Sequence, residues 1–144
     1  MLPRSDLHGL YHVSAEPIAK YELLRLVAAA YGRSNTITPD DKRIIAVNRD
    51  VGSVTVMSVD YADGQPKMTV VAEIPVGGEP WQVAIDGCGK TAYVVLRKDQ
   101  KVVKIDNLDG APTKGSEVSV GSEPTSIAIT PNSKKLYVSN WVEG

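Results

Sequence analysis

The sequence predicts an all-β fold built from repeated four-stranded units, and three observations lead there. One stretch occurs twice: Val76, Gly77, Glu79, Pro80, Ala84, Ile85, Lys90, Tyr93 and Val94 return 44 residues later as Val120, Gly121, Glu123, Pro124, Ala128, Ile129, Lys134, Tyr137 and Val138, nine identities in twenty aligned positions. A partial copy precedes both, with Thr38, Pro39, Asp40 and Lys42 followed by Ile44 to Asn48. Between the copies lie short apolar runs punctuated by Gly, Asp, Asn and Pro, the composition of strands joined by tight turns. Four short strands in about 45 residues is the blade of a β-propeller.

Taken in order, residues 1–31 stand outside the repeat. Ser14 is placed to cap a helix, with Glu16 and Pro17 in its first turn. Residues 15–31 are rich in Ala, Leu, Lys, Glu and Arg, so a helix is expected there, covering a sheet edge or docking on a partner. Residues 32–36 read as a linker, and residues 32–144 as the blades. Residues 43–48 form an apolar strand. Residues 53–60 alternate between Val and small polar residues, and Asp63-Gly64 signals a hairpin. A strand at 68–76 closes this first unit. The middle unit has strands at 81–86, 91–96, 101–106 and 117–120, with 107–115 as a Gly/Pro-rich loop. The last has strands at 125–129 and 135–140. The expected architecture is therefore a partial propeller of about two to three blades; a ring needs roughly four to eight. Open edges would be met by remaining blades of the same protein or by other protein chains.

Bulk properties exclude several classes. Sixteen Lys and Arg against seventeen Asp and Glu give a net charge of −1, so no basic field marks a nucleic-acid partner. No apolar run approaches the roughly 20 residues that span a bilayer. Cys88 is the single cysteine, which rules out an intrachain disulfide. Residues 1–15 lack the apolar segment of a secretory signal, and the apolar run 23–30 is interrupted by Arg25. His8 and His12 share a helical spacing, but Gly9 separates them and no further ligand completes a metal set. No nucleophile, phosphate-loop or zinc pattern is present, so no catalytic residue, metal or cofactor is expected.

The last copy, Gly121-x-Glu123-Pro124 through Ile127-Ala128-Ile129-Thr130-Pro131 to Leu136-Tyr137-Val138-Ser139-Asn140, resembles the YVTN-type propeller repeat. The middle copy has Asp86-Gly87 in place of Thr130-Pro131 and lacks the final Asn; the first lacks the Tyr. The resemblance spans about residues 37–144 and implies the propeller class. The family it implies includes surface-layer and secreted or periplasmic proteins, hence an extracytoplasmic setting. Similar blades occur in a lactonase family and in redox-protein subunits, and residues 48–86, with their longer hairpin at 61–67, also look somewhat like the lactonase type.

Repeated residues read as scaffold, and residues that break the repeat on one loop face read as function. The loop after each second strand and the loop between blades open on the same face. They carry Arg49, Arg97, Lys98 and Trp141, and Glu79, Trp81 and Glu123, which are the candidate binding residues. Arg, Trp and Glu together are common ingredients of binding surfaces, although solvated loop charges look the same in sequence. Trp81 stands out because its counterpart is Thr125, so the repeat itself does not require an indole. The first functional expectation is a non-catalytic scaffold or interaction surface. The alternative is part of a lactonase-like or redox enzyme with its site in the central channel.

Overall fold

The computed structural model describes residues 35–40, 42–61 and 66–142. Among the described residues ten strands form three antiparallel sheets. The first sheet holds β1 (Asn35–Ile37), β2 (Arg43–Asn48), β3 (Ser53–Asp60) and β4 (Lys67–Pro75) in sequential order. The second repeats the plan with β5 (Pro80–Ile85), β6 (Ala92–Leu96), β7 (Lys101–Asp106) and β8 (Thr113–Ser119). The third has β9 (Pro124–Ile129) and β10 (Leu136–Asn140). The helix expected over 15–31, and His8 and His12, lie outside the described residues.

Two expectations are corrected. Residues 35–37, of which 35 and 36 read as the end of a linker, form the first strand of the first blade and pair in register with Ala46, Ile45 and Ile44. Asn-Thr-Ile carries too little apolar signal to announce a strand; its backbone is ordered by the strand beside it. The first unit thus has four strands, not three. Strand β8 begins at Thr113 rather than 117, and nearly all of it is exposed. An outermost strand in water has no buried face, so the alternation that betrays strands is absent.

The blades stack face to face. Ile45, Val47, Val54 and Val56 of the first pack with Val83, Val94, Leu96, Val103 and Ile105 of the second in one core. Ile44, Ala46, Met57 and Val59 bury the opposite face of the first blade. Strand β2 is therefore apolar on both sides, which is why it reads as a continuous run rather than an alternation. Val95 and Val102 with Tyr93 meet Ile127 and Val138 of the third sheet. The first strands of the units are neighbours, β5 lying against both β1 and β9, so they mark the inner side of the arc.

Polar ties reinforce the stack. Arg43 Nε donates to the Leu108 carbonyl (3.0 Å), and the Ile127 amide donates to Gln82 Oε1 (2.8 Å). Tyr93 fills the interface with the third sheet as its position in the repeat suggests; its counterpart Tyr137 is 60% exposed, with only two strands in its own sheet.

Candidate functional site

One turn type recurs on one face. After β2 comes the turn 49–52, after β6 the turn 97–100, and after β10 Trp141. The second and third meet the blade connection ahead of them through the backbone: the Arg97 amide donates to the Glu79 carbonyl and the Trp141 amide to the Glu123 carbonyl, both at 2.9 Å. The first and second also meet the connection that follows: the Gly52 carbonyl accepts from Val76 (2.9 Å) and Gly77 (3.2 Å), and the Gln100 carbonyl from Val120 (2.9 Å). Loops and connections are thereby stitched into a continuous strip across the units.

Glu79 and Glu123 sit in this strip with φ of 51° and 47°. Left-handed backbone is costly for a side-chain-bearing residue, and proline at the next position disfavours it further. The paired hydrogen bonds hold it in place. The consequence is that both carboxylates are carried on the loop face at equivalent points of successive blades.

The recurring glycines have a shared steric cause. A Cβ at Gly77 would lie 2.5 Å from Asp99 Oδ2 and 2.9 Å from Leu96 Cδ1; one at Gly121 would lie 2.5 Å from Asn140 Nδ2. The connection runs against the end of the following unit's second strand in both copies. Positive φ, at 135°, accompanies this only at Gly77.

All seven candidate residues lie along this strip. The Arg49 guanidinium carbon stands 3.6 Å from the centroid of the Trp81 ring, and that of Arg97 stands 4.8 Å from it. Arg97 Nη2 continues to Glu123 Oε2 at 2.7 Å. The Glu123 hydrogen bond holds the Arg97 guanidinium above its ordinary value, aided by the charges of Glu123 and Glu79, so this group is a fixed cation. Arg49 differs: among the described residues no carboxylate pairs with it, and it rests on the indole alone. Beside it opens a cleft of about 570 Å³, whose walls include Arg49, Asp50, Gly52, Gly78, Glu79 and Lys98. Trp141 is 77% exposed and joins the strip through its backbone amide.

Three contributors stand outside the seven candidates. Asp99 Oδ2 accepts from the Gly78 amide at 2.7 Å and fastens the cleft wall to the second unit's turn. The Gly77-Gly78 backbone forms that wall. Gln82 anchors the strand carrying Trp81 to the third sheet. Its counterpart is Ser126, so the same break in the repeat that marked Trp81 also marks Gln82. Cys88 is exposed in its Gly-Cys-Gly turn. Among the described residues no three His, Cys, Asp or Glu side chains converge, and no helix is long and apolar enough to cross a membrane.

Chemically, the strip offers fixed guanidinium donors, carboxylate acceptors and two indoles: the means to hold an anion and hydroxyls. The arrangement of the blades has close parallels among solved structures. A putative 6-phosphogluconolactonase from Bacteroides fragilis aligns over 75% of this chain and 31% of its own, with a TM-score of 0.67 and 24% identity. The periplasmic gluconolactonase of Pseudomonas aeruginosa aligns over 76% and 33%, at 0.67 and 18%. Hydrazine synthase of Kuenenia stuttgartiensis aligns over 74% and 28%, at 0.64 and 27%.

The fold is that of a β-propeller.

The propeller segment spans about a third of the length of the structures it matches. No family model and no curated protein matches the chain.

Proposed function

We propose that this propeller segment is an interaction surface whose loop face holds a small anionic, hydroxyl-bearing ligand between Arg49, Trp81 and Arg97. The observation that carries the reading is the placing of two guanidinium groups on one indole beside an open cleft. Cation–π contact and the Glu123 pair order these long side chains before any ligand arrives, which lowers the entropic cost of binding. A guanidinium kept charged is a binding group rather than a proton carrier, in keeping with a non-catalytic surface. The open edge of β10 belongs to the same reading: it is completed by a further strand, from remaining blades or another polypeptide. An extracytoplasmic setting is supported by the YVTN-like motif ending at Asn140 and by the periplasmic neighbour.

The test is an amide and indole NMR titration with gluconate and 6-phosphogluconate. Shifts centred on Arg49, Trp81 and Arg97, reduced in Arg49→Gln, are expected. Saturable shifts confined to other faces, or no shifts at millimolar ligand, would remove the proposal.

A second reading, a lactonase-like centre, is favoured by the lactonases among the similar structures and by Asp50 and Glu79 in the same cleft. It requires hydrolysis of gluconolactone or its 6-phosphate above the spontaneous rate, lost in Glu79→Gln.

A further inference from the structure

We infer that residues 15–31 form an amphipathic helix that roofs the far face of the first sheet, in the place where a preceding blade would stack.

The starting observation is a buried face with no roof among the described residues. Ile44, Ala46, Met57 and Val59 point away from the second sheet, and all four are 7% exposed or less. Ile37 and Met68 pack at the margins of this cluster and belong to the same sheet. The second sheet packs on the other face, against Ile45, Val47, Val54 and Val56. Side chains of one sheet stand side by side, roughly perpendicular to it, and cannot exclude water from above themselves. The third sheet shows an uncovered far face for comparison: there Ser126, Ala128, Tyr137 and Ser139 are all exposed.

The composition of the far face agrees. An antiparallel sheet with a wet face carries polar residues on it, whereas this one presents Ile, Ala, Met and Val. Its polar members are answered within the sheet. Asn48 Nδ2 donates to Ser53 Oγ (2.9 Å) and Thr55 Oγ1 (2.8 Å), and Ser53 Oγ donates to Glu73 Oε1 (2.9 Å). Ser53 and Thr55 are themselves buried. A roof here needs apolar surface and no hydrogen-bond partners.

The segment ahead of β1 has that surface, a matching length and a short tether. At helical spacing Leu23, Leu24, Val27 and Tyr31 share one stripe, with Glu22 and Arg25 opposite. A helical stripe from Leu23 to Tyr31 is about 12 Å long, and four strands side by side span about 14 Å. Residues 32–34 extend about 11 Å at most. They therefore deliver the stripe to β1, whose first residue pairs with Ala46 of the buried face. The hairpin 62–65, Ala-Asp-Gly-Gln, is too short and polar to serve. The consequence is a guarded stacking surface: a further blade or a second copy reaches Ile44 and Met57 only by displacing this helix.

Thiol labelling of the full chain tests the arrangement. In a Cys88→Ser background, Met57→Cys reports on the far face and Val103→Cys on the core between the first two sheets. Met57→Cys should label slowly. Leu24→Asp with Val27→Asp should accelerate it at least about tenfold, because two apolar side chains leave the contact. Val103→Cys should keep its slow rate, and Glu22→Ser with Arg25→Ser, on the opposite stripe, should change neither. Rapid labelling of Met57→Cys in the otherwise unchanged chain, or a rate indifferent to the stripe double variant, would overturn the inference. So would a slow rate that is lost on dilution, which assigns the roof to a second copy. If the double variant exposes Val103→Cys as well, the milder Leu24→Ala with Val27→Ala decides: acceleration confined to Met57→Cys supports the helix, and an unchanged rate refutes it. The ligand reading stands or falls separately, because its residues lie on the loop face.

Discussion

Glu79 and Glu123 adopt left-handed backbone immediately before proline, and their carbonyls are the acceptors that tie loop to connection. If the positive φ is imposed by that geometry, Glu79→Gly should be more stable than Glu79→Ala by about 1 kcal/mol, the penalty a Cβ meets there. Chemical denaturation of the two variants measures the difference directly. Gly52 is more demanding still: with φ of 73°, an added Cβ would stand 2.6 Å from the Gly77 carbonyl oxygen, a backbone atom with little room to yield. Gly52→Ala should therefore cost more than Gly121→Ala, whose Cβ would meet only the movable end of Asn140. Gln82→Ala removes the acceptor of the Ile127 amide and should cost about 1 kcal/mol. The roles of these residues were only partly legible in the chain. Recurrence exposed Gly77 and Gly121, whereas the strain at Glu79 and Glu123 is visible only in the backbone.

The turns after the first strands share a device built from different residues. In the first unit Thr38 Oγ1 donates to Asp40 Oδ1, which also accepts the Lys42 amide, while the Arg43 amide donates to Thr38 Oγ1. In the third unit Thr130, Asn132 and the Lys134 and Lys135 amides repeat the pattern. In the second, Asp86 alone accepts the Lys90 and Thr91 amides. Burial works against the Asp40 charge, but the Thr38 and Lys42 hydrogen bonds and the Lys42 charge outweigh it and hold the carboxyl below its ordinary 3.8. A depressed folded-state value means that Asp40 adds stability above its unfolded value and loses it as pH falls through the folded one. Amide exchange at this turn should accelerate in that acid window, and Asp40→Asn, which copies the third unit, should remove the dependence. An unchanged acid profile in the variant would show that the charge is irrelevant to the turn. These motifs were visible as Thr-Pro-Asp and Thr-Pro-Asn; the equivalence of Asp86 became visible only once the hydrogen bonds were seen.

Across the whole molecule, burial is uneven. The first two sheets share a core that includes Leu96, Ile105 and Leu108, all at 1% exposure or less. The third leaves Leu136, Tyr137 and Val142 exposed. In stacked-unit proteins stability is the sum of unit and neighbour terms, so a unit with one covered face opens first. Hydrogen exchange should therefore protect β2, β3, β6 and β7 most and β9 and β10 least. Uniform protection across all three sheets would contradict this. Leu96→Ala should cost about 2–5 kcal/mol through a cavity between blades, felt in both sheets together.

The chain itself determined the repeated blades, because a strand buried against neighbours must recur with the same small, β-branched and turn-forming residues. It also marked Trp81, because an indole where the repeat has Thr is a departure that packing alone does not demand. Tertiary structure decided what lies between those marks. Asn35–Ile37 becomes a strand through its partner strand in the same sheet, which supplies the backbone groups that its own residues do not announce; Arg97 rather than Arg49 gains a carboxylate because only the stacking of blades brings Glu123 within hydrogen-bonding distance.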